Sequence, residues 1–425
     1  MTSPSAPART RSGLGALERP DGRPVSLADI RRDIGPSYMA NGLIALVFAA
    51  SGPLAVILAS SPAGNLSQTQ LSSWIFAVFF LNGLLTVLAS IVYRQPLGFF
   101  WTIPGTVVVG TALRHLPWSD VLGAFIVTAV LILVLGLSGW VGRVMRVLPM
   151  PIVMAMVAGV FLSFGLGLVQ SIQASPWVAM PMVVAFVALS IPGPLGRCLP
   201  PVLGALVVGV VAVLTTEGLR GPITVGLAQP VLQMPTFSLA ALTELVLPLA
   251  ITVIVVQNGQ GVAVLRGAGH QPPVNVATTL CGLWSLPAAA LGAVSTCLTG
   301  PTNALLVASG ERRRQYTAAL TCGGLAMVVG AMAPTLVTFM LAMSPAWIAV
   351  LGGVAMLKAL QGAFVAAFSG RHALGALVAF LVTVSDLTVF GIGGAFWGVV
   401  TGCVITMLLE PADVAATRAD ALAAS

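Results

Sequence analysis

"LGFFWTIPGTVVVGTAL" spans residues 97–113 and changes character in its middle. An apolar, aromatic run leads into Ile103-Pro104-Gly105-Thr106, after which the residues suit a helix again. Proline is favoured in the first helical turn, where its missing N–H costs nothing. The segment therefore reads as an extended stretch followed by a short helix that begins near Pro104. "VSTCLTGPTNALLVAS", residues 294–309, repeats the arrangement around Thr299-Gly300-Pro301-Thr302-Asn303, with hydroxyl and amide side chains at the helix start. The plainer alternative at both places is an ordinary Pro-Gly kink.

Both segments belong to a chain of 425 residues that is 57% hydrophobic and only 7% charged, with mean hydropathy +1.01. Soluble domains carry about 25% charged residues. Nineteen basic and 12 acidic side chains cannot cover a water-soluble globule of this length. The same numbers exclude a disordered chain and a disulfide scaffold. An all-α polytopic membrane protein remains. Its net charge of +7 is then assigned to cytoplasmic loops rather than to nucleic acid. Cys198, Cys281, Cys297, Cys322 and Cys403 form no CxxC pair, and His115, His270 and His372 fall near expected loops. No metal, no cofactor and no catalytic set is therefore expected, and the chain reads as no enzyme.

Apolar stretches bounded by charge, Pro or Gly predict fourteen spans. They are 37–60, 70–93, 97–113, 119–142, 148–168, 175–191 and 200–216, then 240–266, 273–292, 294–309, 315–341, 345–368, 372–391 and 393–410. With the N-terminus inside, 16 arginines fall in inner segments, and only Arg114 and Arg220 fall outside. This bias supports the count and places both termini in the cytoplasm, the protein lying multi-pass in the inner membrane. The halves also match at an offset of 194: Gly136 with Gly330, Pro151 with Pro345, Ala155 with Ala349, Gly159 with Gly353 and Val160 with Val354. Seven spans is odd, so the second copy enters inverted. The organisation expected is a disordered cytoplasmic tail at 1–36, a first repeat at 37–216, a second at 240–410 and a C-terminal cytoplasmic tail at 411–425.

Irregular backbone at membrane depth is tolerated only where it is buried or lines a cavity. Two short helices starting at mid-depth would aim free N–H groups at the protein centre, which suits an anion, above all a carboxylate. "LPLAITVIVVQNGQGVAVLRGAG", 247–269, adds Gln257, Asn258 and Gln260 in mid-span. Unpaired amides in hydrocarbon cost several kcal/mol. They must bond another helix or a ligand, and the sequence leaves both open. Ser51-Gly52-Pro53 is the matching polar point of the first half. Lys358 and Asp386 are charges inside spans, as a pair that gates or couples movement or as side chains reaching opposite surfaces.

At "WTIPGTVVVGTAL", "GAFIVTAVLILVLGLSGWVGRVMRVLP", "QNGQGVAVLRGAG" and "LVTVSDLTVFGIGGAFWGVVTG" the chain resembles the benzoate:proton symporters of the BenE type, over nearly all of 37–410. That family is similar in fold to the uracil transporters and related anion carriers. The resemblance implies core and gate domains, and uptake of a small aromatic carboxylate with protons. It also implies a homodimer whose cores move against their gates. Carried over by motif, the site comprises Gln257 and Asn258, Thr102, Pro104, Gly105 and Thr106, and Thr299, Gly300, Pro301, Thr302 and Asn303. Ser51 joins from the first span, and Phe99, Phe100 or Trp101 would cover the ring. The uracil branch has a Glu-His pair where this chain has Gln257-Asn258. Neutral amides cannot titrate, but they can donate to a carboxylate. Another small anion, a nucleobase, or a passive anion channel on the same fold are the alternatives.

Overall fold

A computed structural model describes residues 17–20, 22–141, 149–191, 200–308, 310–385, 387, 389 and 393–423. Among the described residues the chain is mainly helical. Helix α1 (Leu27–Asp33) precedes α2 (Pro36–Ala50) and α3 (Gly52–Ser60), which part at Ser51. Next come α4 (Gln68–Phe76) and α5 (Asn82–Tyr93), strand β1 (Phe99–Trp101) and helix α6 (Ile103–Ala112). Helices α7 (Trp118–Ser138), α8 (Met150–Ala174), α9 (Pro176–Ser190) and α10 (Pro201–Thr216) complete the first half.

The second half opens with α11 (Leu239–Ile251) and α12 (Gly259–Gly267), joined by a π-helical stretch at Thr252–Asn258. Pro248 lies inside α11. It lacks the N–H that the ladder needs there, and the helix widens one turn later. Then follow α13 (Val274–Ala290), strand β2 (Thr296–Leu298) and α14 (Gly300–Leu306). After these come α15 (Tyr316–Ala331), α16 (Ala333–Ala342), α17 (Pro345–Phe368), α18 (Ala373–Val384), α19 (Gly394–Leu409) and α20 (Pro411–Ala423).

Among the described residues, six helical stretches are long and apolar enough to cross a membrane, and two bent pairs raise that to eight. Other expected spans are shorter apolar helices, such as Pro176–Ser190 and Val274–Ala290. The helices pack in two groups. In one, α7 lies on α11 and α13, α2 and α5 lie on α15, and α12 lies on α14. In the other, α8 lies on α17 and α18, α9 on α10, and α18 on α19. The groups meet where α3 touches α17, α6 touches α8, and α11 touches α19.

The two interrupted segments lie side by side. Strands β1 and β2 pair antiparallel, with Phe99 opposite Leu298, Phe100 opposite Cys297 and Trp101 opposite Thr296. Two further bonds, Thr102 N–H to the Ser295 carbonyl and Thr299 N–H to the Gly98 carbonyl, extend the ribbon. Every residue of both strands is buried. An isolated pair of three-residue strands is not stable in water. Here the surrounding helices shut water out, so backbone pairing is the way these groups are satisfied. Each strand runs into a helix with Pro104 or Pro301 in its first turn.

The expectation of a disordered tail through residue 36 is corrected in part. Ser26 and Asp29 form a capping box that starts α1. The Glu18 carboxylate accepts from the N–H groups of Asn275 and Val276, in the first turn of α13. Asp33 accepts from the Tyr316 hydroxyl, and the Asp33 carbonyl accepts from Arg314 Nε. Ordering follows because these carboxylates meet helix N–H groups and arginines that lie far away in sequence. Bonds from the Ser26 backbone and hydroxyl hold Asp29 below the usual carboxylate range, helped by Arg94 and Arg23. The Arg32 hydrogen bond does the same for Asp33, with Tyr316. A lowered carboxylate pKa contributes stability that is complete above the unfolded value and is lost as pH falls through the folded one. Proteolysis at Arg23 and Arg31 is therefore expected to stay slow at neutral pH. Release of this segment, followed by exchange of its amides, is expected only below about pH 4.

Candidate functional site

A cavity of about 730 Å³ lies between the two helix groups. Its inner end is built by Ser51 at the α2–α3 break, Pro104 of α6, Pro301 of α14, and Gln257 and Gln260 around the π-helical stretch. The first-half break and the second-half π-helix thus reach the same place. From there the cavity runs past Ser190, Pro200 and Ala366, toward the end of the molecule where α17 finishes. Phe48, Phe161 and Phe186 supply aromatic wall. Lys358, exposed midway along α17, lines the cavity from the other helix group. Among the described lining residues it is the one cation, and no Asp or Glu accompanies it.

Gln257 is 4% exposed, and its buried amide oxygen has no hydrogen-bond partner among the described residues. Buried polar atoms are normally paired, so an orphan on a cavity wall marks a place for a guest. A terminal amide can present its oxygen or, turned over, its NH₂. Gly300 lets α14 approach: a Cβ there would stand 2.6 Å from the Gln260 Cβ.

The remaining expected residues stand behind this wall. Asn258 does not face the cavity. Its Oδ1 accepts from Leu298 N–H at 2.8 Å and its amide reaches Thr278 at 3.4 Å, so it anchors β2. Thr102 caps its own helix by accepting from Gly105 N–H, and Thr106 donates to the Thr102 carbonyl. The start of α6 is therefore largely self-satisfied, which reduces the free N–H groups expected there. No side chain caps α14, and the buried Thr299 hydroxyl is unpartnered among the described residues. Thr299 and Thr302 line a small crevice with Phe100 and Trp101 beside the main cavity. Phe99 is packed away in the core of the other side of the ribbon. The aromatic residues that line the main cavity are Phe48, Phe161 and Phe186 instead. Asp386 lies outside the described residues, so its pairing with Lys358 is not described.

Asn303 ties the two interruptions together. Its Oδ1 accepts from Gly98 N–H at 2.9 Å, and its NH₂ donates to the Gly98 carbonyl at 3.0 Å and to the Thr299 carbonyl at 2.6 Å. Asn303→Leu would leave the buried Gly98 N–H without its partner, while the Gly98 and Thr299 carbonyls each keep one backbone bond. A loss of about 1–3 kcal/mol is expected for the one unsatisfied group. A fall of several degrees in the unfolding midpoint of the purified protein in detergent would register it.

The BenE family model, described as "Benzoate membrane transport protein", matches residues 32–408. The chain belongs to the BenE family. One relative is the inner membrane protein YdcO of Escherichia coli K12, 29% identical over 387 residues, covering 89% of this chain and 97% of YdcO. Another is the benzoate membrane transport protein of Acinetobacter baylyi, 25% identical over 392 residues, covering 90% of this chain and 98% of that protein. The transmembrane domain of the cyanobacterial bicarbonate transporter BicA is similar in fold, with TM-score 0.59 and 17% identity, covering 87% of this chain and 98% of the domain. Murine Slc26a9, an anion transporter in the inward-facing state, has TM-score 0.59 and 13% identity, covering 96% of this chain and 76% of its own. This BenE chain is thus a multi-pass membrane transporter.

Proposed function

We propose that the chain takes up benzoate or a similar small aromatic carboxylate with protons. The observation that carries this reading is the joint lining of one cavity by Gln257, whose amide oxygen is unpartnered among the described residues, by Lys358 and by three phenylalanines. Ligand pockets hold 300–1,000 Å³, mostly apolar, with a few placed polar groups. In this site the ring lies among Phe48, Phe161 and Phe186. The carboxylate points to Gln257 near the start of α6, with Lys358 as counter-charge. Family membership supports the substrate class.

The same reading takes the fourteen expected segments as two inverted repeats, with the α7–α11–α13 group as core and the α8–α17–α18 group as gate, the arrangement expected from the uracil transporters. The positive-inside bias turns the cavity mouth toward the cytoplasm, with both chain ends on that side. The dimer belongs to this proposal as well. Radiolabelled uptake into proteoliposomes is the test. Benzoate is expected to accumulate against its gradient when the outside is acidic, uracil and bicarbonate are not, and a protonophore abolishes accumulation. Benzoate that neither enters nor raises the thermal midpoint overturns the substrate. Benzoate flux that ignores the protonophore makes the protein a passive pathway.

A further inference from the structure

The cavity occupies one end of the seam between the two helix groups, and a different polar cluster closes the other. Glu244 lies in α11, thirteen residues before Gln257, or ~20 Å along the helix. It is the only charged residue of α11 and is 4% exposed. Two groups reach it. His115 Nε2, on the loop after α6, is 2.9 Å from its Oε2. Gly393, the residue that caps the start of α19, packs directly against the same carboxylate. A Cβ at position 393 would stand 2.5 Å from Glu244 Oε1, so glycine is what admits the carboxylate to this helix end. Helix α11 belongs to one packed group and α19 to the other. A buried carboxylate therefore bridges the groups at the end away from the cavity mouth.

We propose that Glu244, His115 and the start of α19 form a proton-binding latch that holds this end of the seam shut. A carboxylate buried beside a neutral imidazole has no counter-charge, and burial of an unpaired charge is costly. Adding one proton to His115 creates an imidazolium–carboxylate pair. The α19 end, which bears the positive pole of the helix dipole, adds to it. Imidazole is the side chain whose charge changes between pH 5 and 8. Protonation thus tightens the closed seam, and loss of that proton loosens it. Among the described residues the surroundings contain little else that titrates. Asp120, at the start of α7, is engaged by Thr236, and Arg114 adjoins His115 on the loop. Helices α8 and α19 carry no charged residue. Asp386, in the connection before α19, lies outside the described residues.

The inference rests on the transporter reading but not on the identity of the substrate, and the test needs no substrate. Spin labels go on cysteines at Leu239, 78% exposed, and Leu387, 46% exposed, on either side of the seam at this end. Cys198 and Cys403 are replaced by alanine, and the buried cysteines stay. Distances are measured by pulsed electron resonance on the full chain in nanodiscs. From pH 6 to pH 8 the longer-distance population is expected to rise about threefold. Glu244→Gln and His115→Asn, which keep size and hydrogen bonding, are expected to hold one distribution at both pH values. An unchanged wild-type distribution, a shift in the opposite direction, or a pH response that survives either variant overturns the latch. The wild-type titration alone suffices should a variant fail to fold.

Discussion

Replacing Gln257 by leucine is expected to lower benzoate uptake about a hundredfold at substrate concentrations below KM, the effect of losing about 1.5–3 kcal/mol of hydrogen bonding to a charged group. Leucine nearly preserves the side chain's volume, so the cavity keeps its shape and the chain inserts normally. What is removed is the one amide at the inner wall whose oxygen has no partner among the described residues. Neighbouring Asn258 cannot take over, because its amide is committed to β2 and Thr278. Initial rates in proteoliposomes, normalised to reconstituted protein, give the comparison. A normal rate would remove the carboxylate from this wall. Asn258→Leu is expected to act differently, lowering the unfolding midpoint before it touches affinity.

The second large effect is expected at Lys358. Lys358→Met keeps the long apolar stem and deletes the charge. Lys358 lines the cavity from a helix on the opposite side of the seam from Gln257. Losing it removes attraction for an anion across partly solvated space, so KM should rise about tenfold, equivalent to about 1.4 kcal/mol. High salt should shrink the difference between Lys358→Met and the parent chain, because exposed charges are screened within about 8–10 Å near physiological ionic strength. A change in turnover with KM untouched would instead assign Lys358 to movement, the role that its position inside a span first suggests.

The parts of this site that could be read from sequence are those that break a local rule. Proline one residue into a helix after an extended apolar run announces Pro104 and Pro301. An amide or ammonium in a hydrophobic span announces Gln257 and Lys358. What could not be read depends on distant partners. Asn258 looks like Gln257 until Leu298 is found against it, 40 residues on. Phe48, Phe161 and Phe186 sit in uniformly apolar helices, where a cavity-facing ring and a lipid-facing ring have the same sequence signature. His115 and Glu244 are 129 residues apart, and each alone resembles a residue at a membrane surface. Order in the N-terminal segment was hidden likewise, since Glu18 finds its partners 257 and 258 residues away.

The paired strands carry a consequence for biogenesis. Gly98 and Asn303, which clasp each other beside them, are 205 residues apart. While the ribosome is still making the second half, β1 has no mate, and its backbone groups must wait in a translocon or lipid setting that cannot hydrate them. Closing so large a loop is slow relative to local helix formation. The centre of this transporter therefore cannot close until residues 296–303 have been made, after the whole of the first half.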